Sequence, residues 1–133
     1  MGDTDVASVP DSHRHILEGK GFAHVATLGP RGEPRCSPMW YEWDGTHVLI
    51  SHTTRRKKYR DLERDPRVAL SIRDPEDDYR YVEIRGTARI HDDPGAALIH
   101  RLAKKYEGVK RYQGDLEGRI TIRVTPERVI TYG

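Results

Sequence analysis

The sequence feature that most constrains the fold lies between Val82 and Ile90. Apolar or small residues alternate there with charged and polar ones, and Ile84, Gly86 and Ala88 complete the apolar side. A period of two is typical of a half-buried β-strand, because successive side chains of a strand point to opposite faces of its sheet. A glycine in the middle of such a strand indicates a bulge or a bend. The pattern therefore predicts a long strand in a sheet that curls and can close into a barrel.

Shorter alternating runs and turn signals predict further strands. We expect strands at 22–28, 34–43, 46–51, 67–73, 119–125 and 129–131. Helical spacing and capping signals predict helices at 11–19 and 94–106, with a short basic helix between them. Because most strands are joined by short turns, as at Asp44-Gly45, the fold class predicted is mainly β (α+β). We expect a six- to seven-stranded antiparallel barrel with two to three short helices.

Size and composition limit the organisation of the chain. The 133 residues fit a single domain, predicted at 11–133, preceded by a flexible leader at 1–10. Only 35% of the residues are hydrophobic, which favours a homodimer in which a second copy completes the core. No apolar stretch approaches the roughly 20 residues of a membrane span, and no signal peptide is apparent. We therefore expect a cytoplasmic protein that does not bind membranes.

The clearest sign of a ligand is the segment from Ser51 to Arg67, which reads SHTTRRKKYRDLERDPR. Hydroxyl groups followed by cations at a strand-to-helix junction suit a phosphate, which accepts hydrogen bonds and is attracted by positive charge. A solvated basic helix face is the alternative reading. A nucleic-acid site is disfavoured, because the net charge is only +2 and few aromatic residues interleave with the cations.

Other reactive side chains give no pattern. The seven histidines do not have the spacing of a metal site, and Cys36 has no predictable partner base. Ser37 is not in a nucleophile elbow. We therefore predict no metal site and no catalytic acid, base or nucleophile.

Three separated strings, in this order, resemble a known family. They are GFAHVATLGPRGEPRCSPMWYEWDG, SHTTRRKKYRDLERDPRVALSI and DDYRYVEIRGTARI. Together they resemble the pyridoxamine 5′-phosphate oxidase-like superfamily of FMN-binding split β-barrels. Within it, the chain looks most like the actinobacterial branch that uses the deazaflavin coenzyme F-420. The resemblance extends over 17–132, nearly the whole chain.

The resemblance implies a set of cofactor-binding residues. They are Ser37, Pro38, Met39, Ser51, Thr53, Arg56, Lys58, Tyr79 and Arg80. In this reading Arg56 and Lys58 hold the cofactor phosphate, whereas Ser51 and Thr53 lie beside the ring and its side chain. The ring lies across the strands near 37–39, at a dimer interface that residues 79 and 80 of the second subunit reach.

The implied activity is that of an F-420-dependent reductase. It would transfer a hydride from the reduced deazaflavin to an activated double bond of a small, largely apolar acceptor. Arg55, Lys57 and Arg60 would be further cations, available as a basic rim for the acidic tail of the cofactor. An FMN-binding flavin oxidoreductase on the same barrel and a non-catalytic F-420-binding protein are the alternatives.

Overall fold

A computed structural model of the protein describes residues 6–133, in which seven strands and three helices form. The strands are β1 (Ala23–Leu28), β2 (Pro34–Met39), β3 (Glu42–Trp43), β4 (Val48–Thr53), β5 (Arg67–Asp74), β6 (Asp77–Asp92) and β7 (Arg119–Tyr132). The helices are α1 (Asp11–Glu18), α2 (Lys57–Arg64) and α3 (Ala97–Glu107).

The strands form one antiparallel sheet in the order β2-β1-β5-β6-β7-β4-β3. Strands β2 and β3 follow each other in the chain but occupy opposite edges of this sheet. The short link between them can join the two edges only if the sheet curls. The mainly β, antiparallel split barrel predicted from the sequence is confirmed.

The barrel core comes from the inward faces that the alternation predicted. Strand β6 contributes Val82, Ile84 and Ala88, and β5 and β7 add their own alternating apolar residues; the latter are Val68, Leu70, Ile72, Ile120, Ile122 and Val124. Helix α1 packs its apolar face against the same core. The predicted face of each of these strands is therefore the buried one.

The predicted strand at 34–43 is wrong, because the chain leaves the sheet at Trp40 and Tyr41. Tyr41 is fully buried, and its hydroxyl donates a hydrogen bond to the carbonyl oxygen of Ile16 at 3.0 Å. A side chain anchored on α1 in this way turns the chain from the β2 edge to the β3 edge. The two halves of the predicted strand therefore pair with different neighbours, β1 and β4.

The predicted break at Pro126 is also wrong, because β7 runs through it without interruption. The register passes from the pair Arg85 and Arg128 to the pair Gly86 and Pro126, so that Glu127 bulges out. A proline has no N–H to donate, and a bulge is a place where a sheet tolerates it. The bulge predicted at Gly86 is thus present.

Helix α3 begins three residues later than predicted. The carboxylate of Asp93 accepts hydrogen bonds from the N–H groups of Ala97 and Leu98, at 3.1 and 3.0 Å. Ala96 precedes the helix in the left-handed region, with φ of 54°. Pro94 therefore belongs to the turn before the helix and not to its first position.

The predicted leader at 1–10 lies partly outside the described residues. In its described part, the N–H of Ala7 donates to the carbonyl oxygen of Pro126 at 2.9 Å, and Val9 is buried in the barrel core. Among the three helices of residues 6–133, none has the length and hydropathy that a membrane crossing needs.

Candidate cofactor site

A cavity of about 460 Å³ opens between the end of β4, the start of β7, helix α3 and the loop at 108–118. Its volume is in the range of sites for small ligands and cofactors. Cross-strand pairing of Thr53 with Arg119 brings the last hydroxyl of β4 next to the first cation of β7. Helix α3 supplies an apolar wall through Ile99 and Leu102.

The structure brings five of the nine predicted residues together at this cavity: Pro38, Met39, Ser51, Thr53 and Arg56. Ser51 and Thr53 are buried at the end of β4, with exposed fractions of 8% and 7%. Arg56 lies immediately before helix α2, in extended conformation. This cation is therefore found at the predicted strand-to-helix junction.

Lys58 and Ser37 lie outside the lining of the cavity. The Nζ of Lys58 donates a hydrogen bond to the carbonyl oxygen of Arg35 at 3.2 Å, and burial lowers the pKa of this amine. Ser37 sits on β2 opposite Val25 of β1. In this chain, only Arg56 of the predicted phosphate pair faces the cavity.

Tyr79 and Arg80 also lie outside the lining, near the start of β6. The side chain of Tyr79 is 80% exposed, and the guanidinium of Arg80 donates to the carbonyl oxygen of Ser12 at 2.7 Å. Neither residue meets the cavity of its own chain. Their contribution from a second subunit stays a prediction.

The three arginines of the cavity differ in their partners. Arg55 pairs with the carboxylates of Asp115 and Glu117, so it is not the unengaged cation that the sequence indicated. Arg119 donates to Ser51 Oγ at 3.3 Å and to the carbonyl oxygen of Asp115 at 2.8 Å. Within residues 6–133, neither Arg56 nor Arg119 has a carboxylate partner, whereas Arg55 has two. An anion can therefore meet the guanidinium groups of Arg56 and Arg119 without displacing an acid.

Lys57 and Arg60 lie at a different place. With Arg35 and Arg64 they border a small notch around the buried carboxylate of Asp61. Asp61 accepts hydrogen bonds from Thr27 Oγ1 and Arg64 Nη2, both at 2.9 Å. The hydrogen bond between Thr27 and Asp61 therefore links β1 to α2 at this notch.

Aromatic side chains form one wall of the cavity. The ring of Trp40 stacks on Tyr106, with centroids 5.1 Å apart, and meets Tyr112 edge-on at 6.2 Å. Tyr112 in turn lies under the guanidinium of Arg119, which is 5.1 Å from the ring centroid. Flat apolar surface and positive charge are thus adjacent in the same cavity.

Sequence reasoning missed His52 and Arg119. His52 is 8% exposed and lines the cavity; burial first, then the charges of Arg56, Arg119 and Lys58, lower its pKa to about 4. Its imidazole is therefore neutral near pH 7. Arg119 and Ser51 are 68 residues apart, so only the pairing of β4 with β7 could have identified the arginine.

The donor set of the cavity suits a phosphate attached to a flat ring. Hydroxyls and guanidinium groups can bind the phosphate oxygens, whereas the Met39 thioether, Trp40 and the α3 wall can contact an apolar ring. Residues 6–133 hold no group of three or more His, Cys, Asp or Glu side chains arranged for a metal ion. What the arrangement supports is binding and orientation of a ligand.

Residues 9–133 match the family of pyridoxamine 5′-phosphate oxidase. The chain therefore belongs to this family, and the resemblance noted in the sequence is confirmed.

Individual proteins that are similar to this chain indicate its class of activity more closely than the family match does. A solved F-420 reductase is 37% identical, with a TM-score of 0.86 over 92% of this chain and 98% of that one. A 5a,11a-dehydrotetracycline/5a,11a-dehydrooxytetracycline reductase from Streptomyces rimosus subsp. rimosus is 29% identical over 88% of this chain and 78% of its own length. A conserved hypothetical protein from Mycobacterium tuberculosis shares the fold, at 23% identity and a TM-score of 0.74 over 99% of this chain and 89% of that one. The similarities support an oxidoreductase of this family with a flavin or deazaflavin cofactor.

Proposed function

We propose that the protein is a coenzyme F-420-dependent reductase that transfers a hydride to an activated double bond of a small, largely apolar acceptor. The observation that carries the proposal is Arg56, a cation without an acidic partner in the described chain, at the mouth of a cavity with buried hydroxyls and an aromatic wall. The similarity to an F-420 reductase supports the deazaflavin over other ring systems.

In this proposal Arg56 and Arg119 bind the phosphate of the cofactor. Ser51 and Thr53 offer hydroxyl groups beside them, and their burial means that water does not compete freely for the same hydrogen bonds. Arg119 is already oriented by Ser51 Oγ and by the ring of Tyr112, which reduces the ordering required on binding. The phosphate pair predicted from the sequence thus becomes Arg56 with Arg119, and Lys58 can join only by leaving its contact with Arg35.

The reduced deazaflavin supplies the hydride, as two electrons delivered together. The residues of this chain would hold the ring against the β2 end of the cavity near Pro38 and Met39, keep water from one face and position the acceptor. His52 is neutral near pH 7 and buried, so it does not add a further positive charge to the phosphate site.

Two observations support the class of acceptor: the lining of the cavity and the name of one relative. The relative from Streptomyces rimosus is named for dehydrotetracyclines, compounds with a double bond that a reductase can saturate. Trp40, Tyr112 and the apolar residues of α3 give this cavity a wall suited to the flat ring of an acceptor with such a double bond.

An FMN-dependent oxidoreductase is the second candidate, since the family match is to pyridoxamine 5′-phosphate oxidase. A phosphate-bearing flavin would use the same arginines. The basic rim supports F-420 less than the sequence suggested, because Arg55 is paired with Asp115 and Glu117. A non-catalytic F-420-binding protein would bind the deazaflavin but show no turnover.

The function is tested by supplying reduced F-420 or reduced FMN, separately, with a panel of cyclic enones and quinones. We expect oxidation of reduced F-420 that depends on both protein and acceptor, and a much smaller rate with reduced FMN. Turnover with FMN alone would assign the protein to the second candidate. Tight F-420 binding without turnover on any acceptor would leave only the binding protein.

A further inference from the structure

His52 is a buried polar side chain for which the protein supplies no partner. It is more than nine-tenths buried and lines the cavity, and within residues 6–133 no hydrogen bond is made by its ring nitrogens. Neither ring nitrogen is among the fully buried side-chain atoms of the described chain that lack a partner, so the nitrogens are accessible from the cavity. A ring nitrogen that reaches the cavity can form a hydrogen bond with what occupies it.

The charges that face His52 are all positive. Arg56 precedes α2, Lys58 lies in the first turn of α2, and Arg119 is the first residue of β7. Burial is the largest cause that disfavours the protonated imidazole, and the positive charges of these three residues disfavour it further. The acid of the cavity, Asp115, is paired with Arg55 at the loop side. An anion placed between Arg56 and Arg119 would cancel much of this positive field and add a hydrogen-bond acceptor.

We propose that His52 is a ligand-contacting residue of this cavity and that an anionic group bound between Arg56 and Arg119 favours the protonated form of its imidazole. The inference shares with the proposed function only the location of the anion. It predicts that anion binding and proton uptake are coupled, so that each strengthens the other by the same factor. Affinity for the anion should therefore rise as the pH falls toward the pKa of the free imidazole.

The test uses sulfate, which stays fully ionised over the pH range of the titration and so contributes no proton of its own. The pH titration of the His52 ring is followed by NMR in sulfate and in sodium chloride of equal ionic strength. The His52→Gln variant identifies the signal, and exposed His24 on β1 is the internal control. Equal ionic strength is essential, because screening of the arginines by any salt would also favour the protonated ring.

We expect sulfate to raise the apparent pKa of His52 by about 1 relative to chloride. In Arg56→Ala the sulfate effect should be largely lost, because half of the anion site is gone. Coincident His52 curves in the two salts would overturn the inference, as would an equal response of His24. If sulfate moves His52 but neither F-420 nor FMN binds, the proposed function fails and this inference stands.

Discussion

The arginine side chains that line the cavity differ in whether a carboxylate neutralises their charge. Arg55 is neutralised by two carboxylates of the loop at 108–118, whereas Arg56 has no acidic partner in the described chain. The position of Asp115 beside the proposed phosphate site means that its negative charge opposes the binding of an anion. The affinity of the site is thus set by acids as well as by cations.

Replacement of Asp115 by asparagine should tighten the binding of F-420 or FMN by about threefold to tenfold. The change removes a negative charge and frees Arg55 from one of its two carboxylates, and the gain is moderated by solvent because the side chains of Arg55 and Asp115 are about half exposed. Fluorescence titration at low and moderate salt measures the effect. Asp78→Asn, at the exposed start of β6, is the matched control; an affinity gain of equal size in the control would refute this explanation.

His52 should make stability depend on pH in a defined window. Its pKa is about 4 in the folded protein against an ordinary value of 6.5, so the unfolded chain binds more protons between these limits. Stability from this group is therefore present above pH 6.5 and is lost as the pH falls toward 4, by about 2 to 3 kcal/mol.

Denaturant unfolding between pH 4 and 7 measures this loss. The His52→Gln variant should lose this part of the pH dependence, whereas His24→Gln should behave as the wild type. Parallel curves for wild type and His52→Gln would show that the imidazole is not held neutral by the fold.

Local motifs made part of the site predictable. The family resemblance indicated Ser51, Thr53 and Arg56, which are close in sequence at the junction of β4 and α2, and the three residues line one cavity. Arg119 and His52 were not predictable in this way. Arg119 depends on strand pairing over a long separation, and His52 depends on burial at the end of β4, which a single histidine does not signal.

Among the secondary-structure elements, β6 and β7 shape the sheet through the bulge at which Gly86 pairs with Pro126. A Cβ on Gly86 would overlap severely with the carbonyl oxygen of Thr125, and the Cα of Pro126 would lie only 3.3 Å away. All these neighbours are backbone atoms of β7, so the strain cannot be relieved by turning a side chain. Glycine is therefore required here by close approach.

Gly86→Ala should destabilise the protein by about 3 kcal/mol or more, because one of the two longest strands must move. Gly95→Ala is the control, since a Cβ there meets nothing within 4 Å and its φ is not positive. Thermal and denaturant unfolding compare the two variants. Equal stability of both would mean that β6 and β7 are not packed as closely as described.

The elements themselves were largely predictable, because alternation identifies a strand and its buried face without knowledge of its neighbours. What the sequence did not reveal depended on those neighbours. The turn at Trp40 and Tyr41 is fixed by a hydrogen bond to α1, and the continuity of β7 through Pro126 is permitted by a bulge opposite Gly86. Tertiary contacts of this kind have no local signal.

At the scale of the whole molecule, we propose a homodimer. Large aromatic residues are exposed near the start of β6 and the end of β7, where Tyr79 is 80% and Tyr132 59% exposed. We expect sedimentation equilibrium at micromolar concentration to give twice the chain mass of 15.3 kDa. A mass of one chain at all concentrations would contradict the dimer.

If the second subunit contributes to the site, Tyr79→Ala should weaken cofactor binding by about threefold or more, even though the tyrosine lies outside the cavity of its own chain. Phe22→Ala, which removes another exposed aromatic ring, is the control. Affinity titration together with the measured mass separates loss of contact from loss of the dimer.

Fluorescence titration of F-420 and FMN decides whether Arg56 and Arg119 bind the phosphate of a redox cofactor. Three proteins are compared: wild type, Arg56→Ala and the control Arg60→Ala. Arg60 is a cation of the same helix segment but borders the separate notch. We predict a loss of about tenfold to a hundredfold for Arg56→Ala and little change for Arg60→Ala. Unchanged affinity in Arg56→Ala, or an equal loss in both variants, would mean that Arg56 does not bind the phosphate.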